Sequence, residues 1–123
     1  MAQEYYDFKP IRQGTYFKGV IIQISRNENP VDLTGYSVKM QMKKRVGNSP
    51  VVLTYKTNPD ESADEGMFEI THPDLGIVKM HGKIIDVEPG KYIYDIVFSH
   101  DSKPKVWLHG RWQILPLITE IDE

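Results

Sequence analysis

The chain has 123 residues, 17 of them acidic and 15 basic, for a net charge of −2, and it has no cysteine. The length suits one domain, and the missing cysteines exclude disulfides, thiolate metal sites and thiol nucleophiles together. Near-balanced charge supplies no field to hold a polyanion or an anionic membrane surface, so nucleic acid is not an expected partner.

In chain order, Met1-Ala2-Gln3-Glu4-Tyr5-Tyr6-Asp7 has no basic region followed by an apolar run. No apolar stretch approaches the roughly 18 residues of a membrane helix. Synthesis in the cytoplasm without a signal peptide, and no membrane insertion, are therefore expected. A first strand is expected over residues 15–25, where Phe17, Val20, Ile21, Ile22 and Ile24 are dense in β-formers and Gly19 suggests a bulge. Arg26-Asn27-Glu28-Asn29-Pro30 is turn material. In Asp32-Leu33-Thr34-Gly35, Asp32 is placed to accept from amides two residues on, Gly35 to take positive φ, and Leu33 to plug the core.

Residues 36–44 alternate apolar and polar, and with residues 51–56 they form a hairpin around Val46-Gly47-Asn48-Ser49-Pro50. Residues 58–66 carry Asp60, Glu61, Asp64 and Glu65 with little apolar content, which reads as an exposed loop. A strand at 67–71, a turn at 72–76 and a short strand at 77–80 follow. Residues 83–87 fit either a strand or one helical turn. Glu88-Pro89-Gly90 is a turn in which Gly90, like Gly35, is placed to take positive φ, and after it Tyr92, Tyr94, Ile96 and Phe98 fall on one face of a strand, where four large side chains require a packing partner. A polar tip over residues 99–104 leads to the last strand, 105–115, which Pro116 ends. Trp107 and Trp112 differ in parity, so either a regular strand turns one outward, beside Arg111, or a bulge at Gly110 restores the register.

These elements give an all-β chain, a single immunoglobulin-like or Greek-key β-sandwich of about seven to eight strands. The domain spans residues 1–123, with 1–10 and 116–123 as extended arms.

Candidate chemistry is sparse. His72, His81, His100 and His109 have no partner at ligand spacing. The acidic loop lacks the alternating carboxylates and distal Glu of a calcium loop. No nucleophile or phosphate-loop motif occurs. No catalytic, metal or cofactor site is expected, and no enzyme. The aromatic set Tyr5, Tyr6, Tyr16, Tyr36, Tyr55, Tyr92, Tyr94, Trp107 and Trp112 suits either a sandwich core or a sugar-stacking platform. An outward Trp beside Arg111 would make an interface anchor.

Four motifs stand in order: Gly14-Thr15-Tyr16-Phe17; Asp32-Leu33-Thr34-Gly35-Tyr36 opening an alternating strand; Gly90-Lys91-Tyr92-Ile93-Tyr94-Asp95-Ile96; and Gly110 within a last strand. With them the chain resembles small virion proteins of tailed bacteriophages and is similar to the N-terminal domain of phage upper-baseplate proteins. The resemblance implies a non-enzymatic structural subunit of a tail, baseplate or collar. It would reside in the virion, contact other virion proteins, and act as a homo-oligomer closed into a ring or spike. No heptad repeat follows the β segment, which suits a freestanding component. The apolar segments outside the clearest strands place subunit contacts at Tyr5, Tyr6, Phe8, Trp107, Arg111, Leu117 and Ile118. The alternative is a carbohydrate-binding or host-surface adhesion module that takes a host glycan on exposed aromatic rings.

Overall fold

Tyr92, Tyr94, Ile96 and Phe98 are all buried, while between them Asp95 is exposed and Ile93 and Val97 are half-buried, so the expected alternation runs through the central strand. The computed structural model describes residues 4–119, apart from the side chain of Glu61; residues 1–3 and 120–123, the extremes of the two arms, lie outside the described residues. The strands are β1 (Glu4–Tyr5), β2 (Ile11–Arg12), β3 (Thr15–Phe17), β4 (Val20–Gln23), β5 (Ser25–Arg26), β6 (Asn29–Pro30) and β7 (Ser37–Lys43). They continue as β8 (Val51–Lys56), β9 (Gly66–His72), β10 (Ile77–Met80), β11 (Lys83–Ile85), β12 (Gly90–His100) and β13 (Lys103–Leu115). Two single-turn 3₁₀ segments, Glu61–Ala63 and Pro73–Leu75, flank β9.

The fold is all-β, a curled mixed sheet in the order β1-β13-β12-β7-β8-β9-β10-β4, with β2 also on β13. Its ladders are antiparallel except where β1 and β2 lie parallel on β13 and where β8 meets β9. Strands β3 and β11 form a separate ribbon, as do β5 and β6. The inner face gathers one core from Met40, Tyr55, Phe68, Val78, Ile96 and Trp112 among others. Full burial of each such side chain contributes about 1.5–3 kcal/mol relative to exposure.

The Asp32 turn forms as expected: Asp32 Oδ1 accepts from Thr34 N at 3.0 Å and Thr34 Oγ1 at 2.6 Å, and Leu33 is buried. Gly35 has φ +80°. Residues 83–87 contribute the strand β11.

Four local expectations need correction. Gly19 (φ +88°) is not a bulge but the point where the chain leaves the β3 ribbon for the main sheet, and a Cβ there would overlap the Met80 carbonyl. Gly90 opens β12 without positive φ. The six-residue tip shrinks to Asp101-Ser102, both with positive φ (56° and 62°), the pattern of a two-residue hairpin turn made without glycine. Finally, both indoles are buried. Ile96 faces Leu108 while Val97 faces Val106, which leaves Trp107 as the extra residue of a bulge. The parity change therefore falls at Trp107 rather than Gly110, and the Trp107 ring stacks inward on Phe98 at 4.8 Å.

Gly110 has another role. The N-terminal segment crosses β13 here, and a Cβ on residue 110 would overlap the Tyr6 carbonyl. The Tyr94 hydroxyl, opposite Gly110, donates to that carbonyl. Asp7 Oδ1 accepts from Arg111 N at 2.9 Å, and Trp112 Nε1 donates to Lys9 O at 3.1 Å. Phe8 is thereby drawn into the core, 6% exposed, and stacks on Trp112 at 4.5 Å.

Tyr94→Phe leaves the Tyr6 carbonyl without its donor and is expected to lower unfolding stability by about 1–3 kcal/mol, with Gly110→Ala costing more because the crossing itself must move; urea titration measures both. Burial pushes the Tyr94 and Tyr55 phenols above their ordinary value of 10.0, so the folded chain keeps protons that the unfolded chain gives up. Their contribution is complete below about pH 10 and declines as pH rises beyond it, and Tyr94→Phe should show a shallower alkaline decline than the parent.

Candidate functional site: an open seam and an outer hollow

The curled sheet ends at β4 on one side and at β1 on the other. Just past β4, Ile24 N donates to Gly76 O, next to β10, at 2.8 Å. The two-residue alternation of strand hydrogen bonding then turns the N–H and C=O of Ile21 and Gln23 away from β10. On the other side, Tyr6 N donates to His109 O at 2.9 Å and Phe8 N to Arg111 O at 3.1 Å. The same alternation turns the amides of Tyr5 and Asp7 away from β13. A hollow of about 640 Å³ separates the two edges, and Phe8, Trp107 and Leu108 contribute apolar lining. Val20, Ile22 and Ile24 point inward, whereas Ile21 is 73% exposed. No residue of β4 is charged and none is proline, so two of the devices that normally block an edge strand are missing from it.

A second hollow, about 570 Å³, lies on the outer face of β13, β12 and β7, where Tyr5, Gln41, Lys43, Arg45, Asp95 and Arg111 gather. Three cations and one carboxylate make it net positive. The Tyr5 ring stands edge-on to His109 at 5.2 Å and is 54% exposed. A hydrogen bond with the Asp7 carboxylate raises the Tyr5 pKa. Asp95 is exposed and makes no ion pair among the described residues.

The expected contact residues divide between surface and interior. Tyr5 and Tyr6 are exposed at the seam, Arg111 is exposed at the outer hollow, Leu117 is half-buried and Ile118 is 90% exposed. Phe8 and Trp107 belong to the core, so of the two alternatives, an outward tryptophan or a register-restoring bulge, the bulge is the one that forms, at Trp107. Ile21 and Gln23 were not anticipated. The run Val20-Ile21-Ile22 reads as buried on both faces, and only its lack of charge hints at an uncovered edge.

The titratable groups are scattered. His81 Nε2 meets Glu69 Oε1 at 2.7 Å, His100 stacks on Tyr36 at 4.8 Å, and His72 meets Thr71 Oγ1 at 3.2 Å. Among the described residues, no group of three His, Asp or Glu side chains is placed to hold a metal ion. Three carboxylates of the acidic loop are engaged locally or by flanking lysines: Asp60 Oδ1 accepts from Ser62 N at 3.0 Å, Glu65 meets Lys56 of β8 at 3.2 Å, and Asp64 meets Lys83 of β11 at 2.8 Å. Hydrogen bonding to Ser62 lowers the Asp60 pKa, and hydrogen bonding to Asp60 N lowers that of Glu65. Among the described residues, no helix is long and apolar enough to cross a membrane.

The seam offers backbone pairing over an apolar floor, and the outer hollow offers stacking with anion contact. No protein-family model matches the chain, and no curated protein matches it in sequence.

Proposed function

We propose that this chain is a non-enzymatic structural subunit of a tailed-phage particle, a tail, baseplate or collar component that works in repeated copies through contacts with itself and other virion proteins. The observation that carries this reading is the uncharged, unpaired β4 edge facing a second open edge across an apolar floor. Such an edge is an aggregation hazard unless a partner covers it. The phage motifs lend support where their local chemistry is visible, as in the Asp32 turn and the alternating face from Tyr92 to Phe98. Within this reading the curled sheet is a Greek-key or immunoglobulin-like sandwich.

Light scattering coupled to size-exclusion chromatography, run over a hundredfold range of concentration, is expected to give a defined oligomer that grows in with concentration. A strict monomer throughout would count against the proposal.

The outer hollow favours a second reading, a carbohydrate-binding module for an acidic glycan. An exposed ring beside Arg111, Arg45, Lys43 and Gln41 supplies stacking and carboxylate contacts. Under this reading, calorimetric titration with uronate- or sialate-bearing oligosaccharides gives binding that Tyr5→Ala and Arg111→Ala each weaken at least tenfold. No heat with any of them removes it. Tryptophan fluorescence is a poor reporter here, because both indoles are buried.

A further inference from the structure

We infer that the seam between β4 and β1 is filled by the segment following β13 of a second copy of this chain, so that subunits are joined by strand exchange. The inference rests on the assembly reading and names its contact. The seam asks for an extended strand that places no acidic side chain beside Glu4, the one charged residue of its lining: Ile21 and Gln23 offer backbone groups on one side, Tyr5 and Asp7 on the other, and the floor is apolar. One described segment has the matching character. Pro116-Leu117-Ile118-Thr119 carries no charge and pairs with no strand, and Ile118 is the most exposed of the large apolar side chains in the described chain.

A chain cannot use its own segment. Gln13 N donates to Leu115 O and Arg12 Nη1 to Pro116 O, both at 2.8 Å, which fixes the root of the segment at the end of β13. The seam lies level with Tyr5, which pairs with His109, six residues before Leu115 and therefore about 20 Å away along the strand. Ile118 stands three residues beyond Leu115, and three extended residues span at most about 11 Å. The donor is therefore another copy. Donor and acceptor surfaces differ, so the contact is heterologous and propagates from copy to copy until it closes into a ring or continues as a filament. Three other strongly exposed apolar side chains are placed elsewhere: Tyr16 and Ile84 face each other across the β3–β11 ribbon, and Val46 lines the outer hollow.

The absence of native cysteine makes the test direct. Ile118→Cys is combined with Ile21→Cys or with Gln23→Cys, two positions on the same face of β4 that cover a two-residue uncertainty in register. The proteins are oxidised at dilute and concentrated conditions and run on non-reducing gels. A ladder of multimers from at least one double variant, beyond the symmetric dimer open to each single variant and collapsing on reduction, is the expected result. Ile118→Asp, at an exposed position, should also shift the oligomer to monomer by light scattering while leaving the urea midpoint of the monomer unchanged.

If the protein is an oligomer but the double variants give no ladder and Ile118→Asp stays assembled, strand exchange is wrong and the assembly reading survives on another contact. In that case a strand from a different protein, or a small apolar molecule, becomes the occupant to seek. A protein that is monomeric at every concentration overturns both.

Discussion

A backbone carbonyl occupies the place where β13 would otherwise carry a side chain at position 110, and much of the molecule follows from that substitution. The Tyr6 carbonyl lies over Gly110 because nothing projects there, and the Tyr94 hydroxyl reaches it from the opposite strand. Once the N-terminal segment is pinned, Asp7 takes over a ladder bond to Arg111, Phe8 enters the core against Trp112, and the Trp112 indole binds Lys9 O. The crossing also lays β1 and β2 parallel on β13. After β2 the chain leaves this edge through the β3–β11 ribbon. It returns as β4 on the far end of the sheet, on β10.

The seam is the price of that path. One edge is fixed by Gly110 and Tyr94, and the other is β4, which turns Ile21 and Gln23 outward with no charge to discourage pairing. The bulge at Trp107 completes the site by putting a second indole on the inner face, where it becomes floor rather than an exposed anchor. Stability and recognition are thus linked through β13: Trp107 and Leu108 belong to both the core and the lining of the seam, and Gly110 admits the segment that forms its β1 edge.

Local pattern made the architecture readable wherever the answer depended on neighbours in sequence. The alternation from Tyr92 to Phe98, the β7–β8 hairpin and the Asp32 turn are set by side-chain period and short-range hydrogen bonding, and each forms as the residues indicate. Misses occur where backbone geometry or distant partners decide. Asp101-Ser102 makes a two-residue turn without the glycine that usually marks one. Gly19 marks a change of sheet, which its two flanks cannot reveal. Trp107 changes parity through a one-residue bulge with no local signature. The candidate site was half legible: Tyr5, Tyr6 and Ile118 stood out as apolar residues beyond the clear strands, whereas Ile21 was hidden in a β-branched run that reads as core. Which edges meet across a seam is a property of strand order, and local alternation does not encode it.

Amide hydrogen exchange at Ile21 and Gln23, followed by NMR at dilute and concentrated protein, tests the central claim most directly. An open seam that partners fill predicts rapid exchange of both amides in the dilute monomer and strong protection on assembly, with Ile22 and Ile24 protected throughout by their bonds toward the β10 side. Protection of Ile21 and Gln23 at every dilution would mean that the seam is closed within one chain. Rapid exchange in a proven oligomer would mean that assembly uses another surface.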